Sequence, residues 1–338
     1  MIEKRRIAVI LAAHGEAETI GLRENYRVNM MTLGHASMVM PIPMPLRHFI
    51  SATSSARKRI RSFSNSQASP HNGITRQQAE SLQLFLDSHH VGDGISFDVH
   101  AAFSASDPAV ETVIDRTRSH DGQVIVSMSP IDSTLSCGLV CSYLESTSSP
   151  EELGRARVIS RLWDDGDLYP IFLDHLFGCI AQIGFTRRGK RALVLMYHGT
   201  LVADAKGGTP DFRTGLHETL TFAGRLGSMI AAHPSNPYSK VFTAFLNHDV
   251  GGTWTRPAFE EVCTEIREEG FTGADLFGCG YFADGNETIH REDEIKDAAA
   301  LSDVSTIPCL NGSAAFTSYL ASKVSAAAKQ ILAMRTED

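Results

Sequence analysis

A short apolar phrase that ends in His-Gly occurs twice in the chain. RRIAVILAAHGE spans residues 5–16, and KRALVLMYHGT spans residues 190–200. Short continuous runs of Val, Ile and Leu are typical of strands that are buried on both faces of a parallel sheet. The second copy lies deep inside the chain. In the first copy, the apolar run 7–13 is followed by His-Gly-Glu rather than by a small-residue cleavage site. We therefore interpret both copies as buried strands and not as an export signal.

Other segments alternate between strand and helix patterns. Further strands are predicted at 95–103, 122–130, 239–247, 274–284 and 304–312. Helical periodicity is found between them, for example at 109–119 and 258–270. Strands that alternate with helices indicate βαβ units, which form parallel sheets through right-handed crossovers. The predicted fold class is α/β.

A second repeat supports an architecture of two related halves. PAVETVIDRTR begins at Pro108 and PAFEEVCTEIR begins at Pro257, and the two align without a gap. We predict two similar Rossmann-like halves, each a parallel β-sheet flanked by helices, over residues 1–150 and 151–312. The polar stretch STSSPEELG (146–154) is typical of a domain boundary. A last helix within residues 313–338 is expected to pack back on the first half.

Composition excludes several classes of protein. A length of 338 residues with 43% hydrophobic content is enough for two cores. The net charge of −8 disfavours a nucleic-acid partner, since nucleic-acid binders are usually basic. Six cysteines are too few for a disulfide scaffold of this length and fit a reducing compartment. No apolar stretch approaches the roughly 18 residues of a membrane helix. We expect a cytoplasmic protein without a transmembrane segment.

The two histidines of the repeated phrase are candidate functional residues. In open α/β sheets, ligands bind outside the carboxyl ends of the strands, and His14 and His198 follow two such strands. A purely structural role at the strand end is the alternative. The segment GYFADGNETIHRED (280–293) also follows a predicted strand and supplies Asp284 and Glu287. Such acids are also common in the first turn of a solvated helix. Imidazole and carboxylate together suit Fe²⁺ or Zn²⁺ and can move protons near neutral pH.

Seven segments in order resemble the ferrochelatases, which insert ferrous iron into a porphyrin to make haem. The similar segments are AAHGEAET at the first strand, SPHNGITRQQAESL (69–82), MSPIDSTLS (128–136), RVISRLWDDG (157–166), MYHGT, GYFADGNET and CLNGSAAF (309–316). MYHGT matches the family's Ser-x-His-Ser site with His198 on the catalytic histidine. GYFADGNET matches its Ser-Asp-His-x-Glu-Thr site with Glu287 on the acid.

The resemblance implies roles for individual residues. His198 would accept pyrrole protons, and Glu287 would bind the metal or carry protons away. His14 is not part of the family's pattern, but imidazole suits the same ions, so the expected metal site comprises His198, Glu287 and His14. Fe²⁺ is expected as substrate or bound metal, with no organic cofactor. Residues implied to contact a porphyrin or other small-molecule substrate are Tyr26, Arg27, Ser133 and Trp254. The Met- and Pro-rich stretch ASMVMPIPMPLRHFI (36–50) is interpreted either as a wall of the porphyrin pocket or as a hydrophobic connection packed on the core.

Several positions depart from the family's pattern. His14 stands where the family has a tyrosine or its neighbour, and Gly285 stands where it has a histidine. Arg291 and Ile295 lie one and two helical turns after Glu287, at positions where the family usually has further acidic residues. His248 lies just after a predicted strand, where the family has a Trp-Gln-Ser type of sequence. Two alternatives to iron insertion therefore stay open. One is a homologue that uses a His/Glu-bound metal for a different small-molecule reaction, and the other is a non-catalytic tetrapyrrole or metal binder.

Overall fold

The computed structural model describes residues 4–61, 68–90, 94–183, 189–248, 251–289 and 291–334. The chain forms two compact units. The first comprises Met1–Ser129, Ser133–Ser160 and Ala314–Asp338, and the second comprises Pro130–Asp132 and Arg161–Ser313. None of the described helices is both long enough and apolar enough to cross a membrane.

The first unit is built around a four-stranded parallel sheet in the order β2-β1-β3-β4. Its strands are β1 (Arg5–Ala13), β2 (Ile95–Phe103), β3 (Gly122–Ser127) and β4 (Ala156–Ile159). Its helices are α1 (Leu22–Val39), α2 (Met44–Arg61), α3 (His71–His89), α4 (Val110–Arg116), α5 (Cys137–Thr147), α6 (Pro150–Gly154) and α11 (Ala314–Met334).

The second unit contains a parallel sheet in the order β7-β5-β9-β10 and a small antiparallel ribbon of β6 and β8. The strands are β5 (Arg191–His198), β6 (Leu201–Asp204), β7 (Lys240–Leu246), β8 (Gly252–Trp254), β9 (Gly273–Phe277) and β10 (Asp303–Ile307). The helices are a 3-10 turn (Leu162–Asp164), α7 (Leu168–Ile183), α8 (Leu216–Ala232), α9 (Phe259–Glu268) and α10 (Arg291–Ala299).

The strands of the two main sheets follow the same order. In each sheet the first strand along the chain lies between the second and the third, and the fourth lies at the edge. The Pro-Ala repeat forms the same feature in both units, because Ala109 bridges to Phe103 and Ala258 bridges to Phe245 before α4 and α9 begin. The predicted α/β class with two Rossmann-like halves is confirmed.

The repeated apolar phrases form the centres of the two sheets. Residues 7–11 of β1 and residues 191–197 of β5 are buried, because each strand has a neighbour on both sides and helices on both faces. In the second unit, β5 and β7 pack on Phe259, Val262 and Ile266 of α9. Both cores therefore fix the position of whatever follows the carboxyl end of their central strand.

Two segments beyond residue 150, β4 and α11, belong to the first unit. The strand β4 lies beyond residue 150, where the predicted first half ends, and it pairs with β3 of the first sheet. The helix α11 packs on α3, β3 and β4, and Ile331 lies against Gly122. Residues 335–338 of the expected last helix lie outside the described residues.

Candidate metal site at the strand ends of the second unit

His198 is the last residue of β5 and is placed by the most buried strand of its sheet. The seven residues before it are buried, whereas the His198 side chain is 49% exposed. The parallel register sets His198 beside Leu246, the last residue of β7. The imidazole is thus held at a rigid strand end with one edge open to solvent.

The glycine of each His-Gly phrase permits a close approach between neighbouring strands. A Cβ at Gly199 would lie 1.9 Å from Asn247 Oδ1 and 2.9 Å from the carbonyl oxygen of Leu246. A Cβ at Gly15, where φ is +83°, would lie 2.5 Å from Ser106 Oγ. Any side chain at either position would push the two strand exits apart. The phrase is repeated because each central strand needs a residue without a side chain directly after its histidine.

His248 follows the carboxyl end of β7 by two residues and contacts His198. The two Nε2 atoms are 3.0 Å apart, and the ring of Trp254 meets the His248 ring edge to face with centroids 5.4 Å apart. In the sequence, His248 stands out only as a departure from the family's pattern and not as a site residue. The available signal was its position just after a predicted strand, the same signal that marked His14 and His198.

Glu287 lies in the segment between β9 and α10, and each of its carboxylate oxygens has a different environment. Oε1 is 3.8 Å from His198 Nε2 and 3.6 Å from His248 Nε2. Oε2 accepts a hydrogen bond from the hydroxyl of Tyr281, and the backbone oxygen of Glu287 accepts one from Arg291 Nε at 3.0 Å. The phenol therefore holds one oxygen while the other faces the imidazoles.

The three facing atoms have the separations of a metal-ligand set. A point equidistant from His198 Nε2, His248 Nε2 and Glu287 Oε1 lies about 2.0 Å from each atom, close to the roughly 2.0–2.2 Å of zinc–nitrogen and zinc–oxygen bonds. The side chains are 49%, 49% and 25% exposed, so an ion could enter from solvent.

Hydrogen bonds define which nitrogen of His198 can bind an ion. Its Nδ1 lies 2.5 Å from the carbonyl oxygen of Gly199, so Nδ1 carries the proton and donates it to that oxygen. The lone pair is then on Nε2, which faces His248 Nε2. A proton on His248 Nε2 would be donated to this lone pair, whereas with the His248 proton on Nδ1 the two Nε2 lone pairs could bind one cation.

The charge state of Glu287 favours a cation. Burial raises the pKa of this carboxyl, but His198 and His248, followed by the Tyr281 hydrogen bond and Arg291, lower it by more, and the net pKa is below its usual value. Burial, and then the charge of Glu287, raise the pKa of Tyr281 well above its ordinary range. At neutral pH the acid is ionised and the phenol keeps the proton that it donates.

Comparison with known proteins gives the family. The model of the Ferrochelatase family matches residues 6–328 of the chain. The chain belongs to the ferrochelatase family. The resemblance inferred from the seven sequence segments is therefore confirmed. No curated protein matches the chain. Among solved structures, SirB from Bacillus subtilis with Fe³⁺ is similar at 10% identity, with 96% of each chain covered and a TM-score of 0.47.

The structure places the predicted site residues in both units of this ferrochelatase-family chain. His198, Glu287 and Trp254 lie in the second unit together with His248. His14, Tyr26, Arg27 and Ser133 lie in the first unit. The role of each of these residues stays a prediction.

The four residues of the first unit each have a described partner there. Thr32 Oγ1 is 3.5 Å from His14 Nε2, and the Tyr26 hydroxyl hydrogen-bonds to His48 Nδ1. Arg27 forms an exposed ion pair with Asp107 at 2.7 Å. The backbone N–H of Ser133 donates to Ser136 Oγ at 2.8 Å. Tyr26 and Arg27 are neighbours on α1, and His14 directly follows β1.

The departures from the ferrochelatase pattern have structural roles in the second unit. Gly285 donates its backbone N–H to Thr288 Oγ1 at 3.0 Å and so shapes the turn that carries Glu287. Ile295 is fully buried in the core beneath α10. Arg291 faces Glu287 through the bond to its backbone oxygen. The pattern's histidine is missing at Gly285, and His248 supplies a second imidazole from the exit of β7.

Proposed function

We propose that the protein inserts ferrous iron into a porphyrin, with His198, His248 and Glu287 as the residues that hold the metal before transfer. Family membership supports metal chelatase activity on a tetrapyrrole in general. The observation that carries the finer proposal is the triangle of two imidazole nitrogens and one carboxylate oxygen, whose centre lies about 2.0 Å from each atom.

The donor set favours iron and its neighbours over magnesium. Imidazole suits first-row transition metals, whereas Mg²⁺ prefers oxygen ligands and retains several waters. Three protein ligands leave further coordination positions of the ion open. Such positions are needed if the ion is to be transferred from the protein to the macrocycle. A ring nitrogen of the macrocycle can bind there before the protein ligands are released.

Metal transfer also accounts for the pyrrole protons. Two N–H bonds of the free macrocycle must break as the metal forms bonds to the four ring nitrogens. When the ion leaves, the Nε2 lone pairs of His198 and His248 are free to accept these two protons. Each imidazole is then cationic and loses its proton to solvent, which both half-exposed side chains can reach.

Residues of the first unit are proposed as substrate contacts. Arg27 carries a cation that suits a propionate of the macrocycle, and its partner Asp107 is exposed and exchangeable. Tyr26 and Ser133 offer hydroxyl groups, and His14 is proposed as a further metal ligand. Trp254 is proposed to contact the macrocycle, and its edge-to-face contact also orients His248.

An anaerobic insertion assay tests the proposal. Purified protein is incubated with Fe²⁺ and either protoporphyrin or coproporphyrin, and absorption spectra follow the change from the free to the metallated macrocycle. We expect enzyme-dependent insertion into at least one macrocycle and a loss of at least roughly 100-fold in rate for His198→Ala, since removal of a general base typically costs that much. His89→Ala, an exposed histidine of α3, is the matched control.

Three results would contradict the proposal. One is insertion by His198→Ala above a tenth of the wild-type rate, with circular dichroism showing both proteins folded. Another is a wild-type protein that purifies with a tightly held metal ion and metallates neither macrocycle, which would favour a resident metal used for another reaction. The third is binding of a porphyrin without any change in it, which would favour a carrier.

A further inference from the structure

Glu287 lies far along the chain from the strand that precedes it. The strand β9 ends at Phe277, and residues 278–289 lie in neither a helix nor a strand. His198, in contrast, is the last residue of β5, and strand register sets its position. Contacts other than sheet pairing must therefore fix where the Glu287 carboxylate lies.

Asp284, which the sequence supplies as a second candidate acid, is bound to the segment that follows β10. Its Oδ2 accepts a hydrogen bond from Asn311 Nδ2 at 2.6 Å, and its backbone N–H donates to Asn311 Oδ1 at 2.9 Å. Its Oδ1 accepts the backbone N–H of Cys309 at 3.2 Å. Both carboxylate oxygens of Asp284 therefore have a donor, and the side chain joins the segments that follow β9 and β10.

The partner of Asp284 is held by its own neighbours. Cys309 and Leu310, directly before Asn311, are 0% and 1% exposed. Asn311 donates its backbone N–H to the Phe282 oxygen at 3.0 Å. Its φ of +42° lies in the left-handed region, which Asn and Asp adopt more readily than most other residues with a side chain. The segment after β10 therefore anchors Asp284 to the core.

A short turn connects this anchor to Glu287. Thr288 is 1% exposed, and its Oγ1 lies 3.2 Å from Asp284 Oδ1 and accepts the Gly285 N–H at 3.0 Å. The backbone N–H groups of Thr288 and Ile289 donate to the Gly285 oxygen at 3.0 and 3.1 Å. Glu287 lies inside this turn, so its carboxylate moves if Asp284 is displaced.

We infer that Asp284 and Asn311 are positioning residues of the candidate metal site, which hold the Glu287 carboxylate at the separation from the two imidazoles that an ion needs. This inference rests on the proposed function, because the site concerned is the one proposed to hold the ion. The pair acts through the turn 285–289 and supplies no ligand atom. Loss of the pair should therefore lower metal affinity although all three ligand side chains are still present.

An exchange of the two side chains tests this role. Asn311→Asp places two carboxylates against each other where the present hydrogen bond is 2.6 Å long. Asp284→Asn places an NH₂ group against an N–H donor in either orientation of the new amide. In the double variant Asp284→Asn with Asn311→Asp, the amide of residue 284 donates to the carboxylate of residue 311. The bonds from the backbone N–H groups of Cys309 and residue 284 can persist.

Isothermal titration calorimetry with Co²⁺ measures the effect on the site. We expect each single variant to bind Co²⁺ roughly tenfold or more weakly than wild type, in the range for residues that orient a metal ligand. The double variant should return close to the wild-type affinity. Hydrogen–deuterium exchange of metal-free protein should be faster in the turn 285–289 of the single variants and return to the wild-type rate in the double variant.

Tyr238→Phe is the matched control, since it removes a buried hydrogen bond to Asp275 within β9. It should lower stability and leave Co²⁺ affinity unchanged. Circular dichroism and thermal melting establish that each variant folds; should one single variant not fold, the other and the double variant carry the comparison.

Three results would overturn this inference alone. They are single variants that both bind Co²⁺ as tightly as wild type, a double variant that does not regain the lost affinity, and an equal loss of affinity in Tyr238→Phe. A wild-type protein that binds no Co²⁺ would instead contradict the proposed function, and the positioning role with it.

Discussion

The Nε2 atoms of His198 and His248 face each other at 3.0 Å across the ends of two adjacent parallel strands. The contact arises because β5 ends at His198 in register with Leu246, two residues before His248. Glu287 completes the group from the segment after β9, the neighbouring strand on the other side. One ligand atom therefore comes from the end of β5, and the other two come from the segments that follow its neighbours β7 and β9.

The glycine after His198 should be essential for this spacing. In Gly199→Ala the new Cβ would overlap Asn247 Oδ1, so the β7 exit that carries His248 must move. We expect the free energy of unfolding to fall by about 1–3 kcal/mol and Co²⁺ affinity to fall by roughly tenfold or more. Isothermal titration calorimetry and urea unfolding measure the two effects. Gly224→Ala, on α8 with nothing within 4 Å of its added Cβ, should leave Co²⁺ affinity unchanged and raise the free energy of unfolding by about 0.5–1 kcal/mol. Unchanged Co²⁺ binding in Gly199→Ala would refute the expectation.

Tyr281 should position Glu287 rather than react. Tyr281→Phe removes the hydrogen bond to Oε2, so the carboxylate can rotate and present its oxygens less well to the ion. We expect Co²⁺ affinity to fall about 10-fold, in the range of other residues that orient a metal ligand. Since the Tyr281 hydrogen bond also lowers the pKa of Glu287, binding should be lost at a higher pH than in wild type. As a control, Tyr143→Phe removes a tyrosine–aspartate hydrogen bond to Asp115 and should leave Co²⁺ binding unchanged at every pH. If Co²⁺ binding by Tyr281→Phe coincides with that of wild type, Tyr281 does not position Glu287.

Metal-free protein should show a pH-dependent contribution of Glu287 to stability. Because the folded pKa of Glu287 lies below its usual 4.5, the contribution is complete above about pH 4.5 and is lost as pH falls through the lower folded value. The difference in unfolding free energy between wild type and Glu287→Gln should therefore shrink as pH falls from about 4.5 toward 3. Urea unfolding in the presence of a chelator measures it. A difference that grows toward low pH would show that the carboxyl is not stabilised in its ionised form.

The buried ion pair of Arg191 should dominate the stability of the second sheet at the start of β5. Arg191 and Asp275 are 5% and 4% exposed, and Arg191 Nε lies 3.0 Å from Asp275 Oδ2. Arg191→Leu leaves the Asp275 carboxylate buried without this cation, although the Tyr238 hydroxyl still donates to it, at a cost of about 3–5 kcal/mol in the free energy of unfolding. Arg256→Leu, which breaks an exposed pair with Glu261, should cost less than about 1 kcal/mol. Equal losses in urea unfolding would contradict this assignment.

Buried strands and their ends could be predicted from the sequence because a parallel strand needs a continuous apolar run. The runs before His14 and His198 form β1 and β5, and the runs at 95–103 and 239–247 form β2 and β7. The predicted strand at 274–284 is shorter, since β9 ends at Phe277, where Cys279 N–H bonds back to the Phe277 oxygen in a tight turn. The end of a strand depends on such a turn and not on hydropathy.

The rest of the site depends on register and packing that the sequence does not contain. His248 became a candidate ligand only when the pairing of β5 with β7 was known. Tyr281 has the pattern of a core aromatic, and only the three-dimensional contact reveals its bond to Glu287. The stretch 36–50, which the sequence leaves open as a pocket wall or a connection, forms the end of α1 and the start of α2. The helix α2 was not predicted, because its apolar face turns outward.

The central claim is that His198, His248 and Glu287 jointly bind the metal ion that is inserted. Anomalous diffraction from crystals soaked anaerobically with Co²⁺ or Fe²⁺ tests it most directly, because it locates the ion relative to the three side chains. We predict one peak within about 2.5 Å of His198 Nε2, His248 Nε2 and Glu287 Oε1, a generous limit for nitrogen and oxygen ligands. The absence of a peak there, or a peak that only one of the three atoms reaches, would contradict the account.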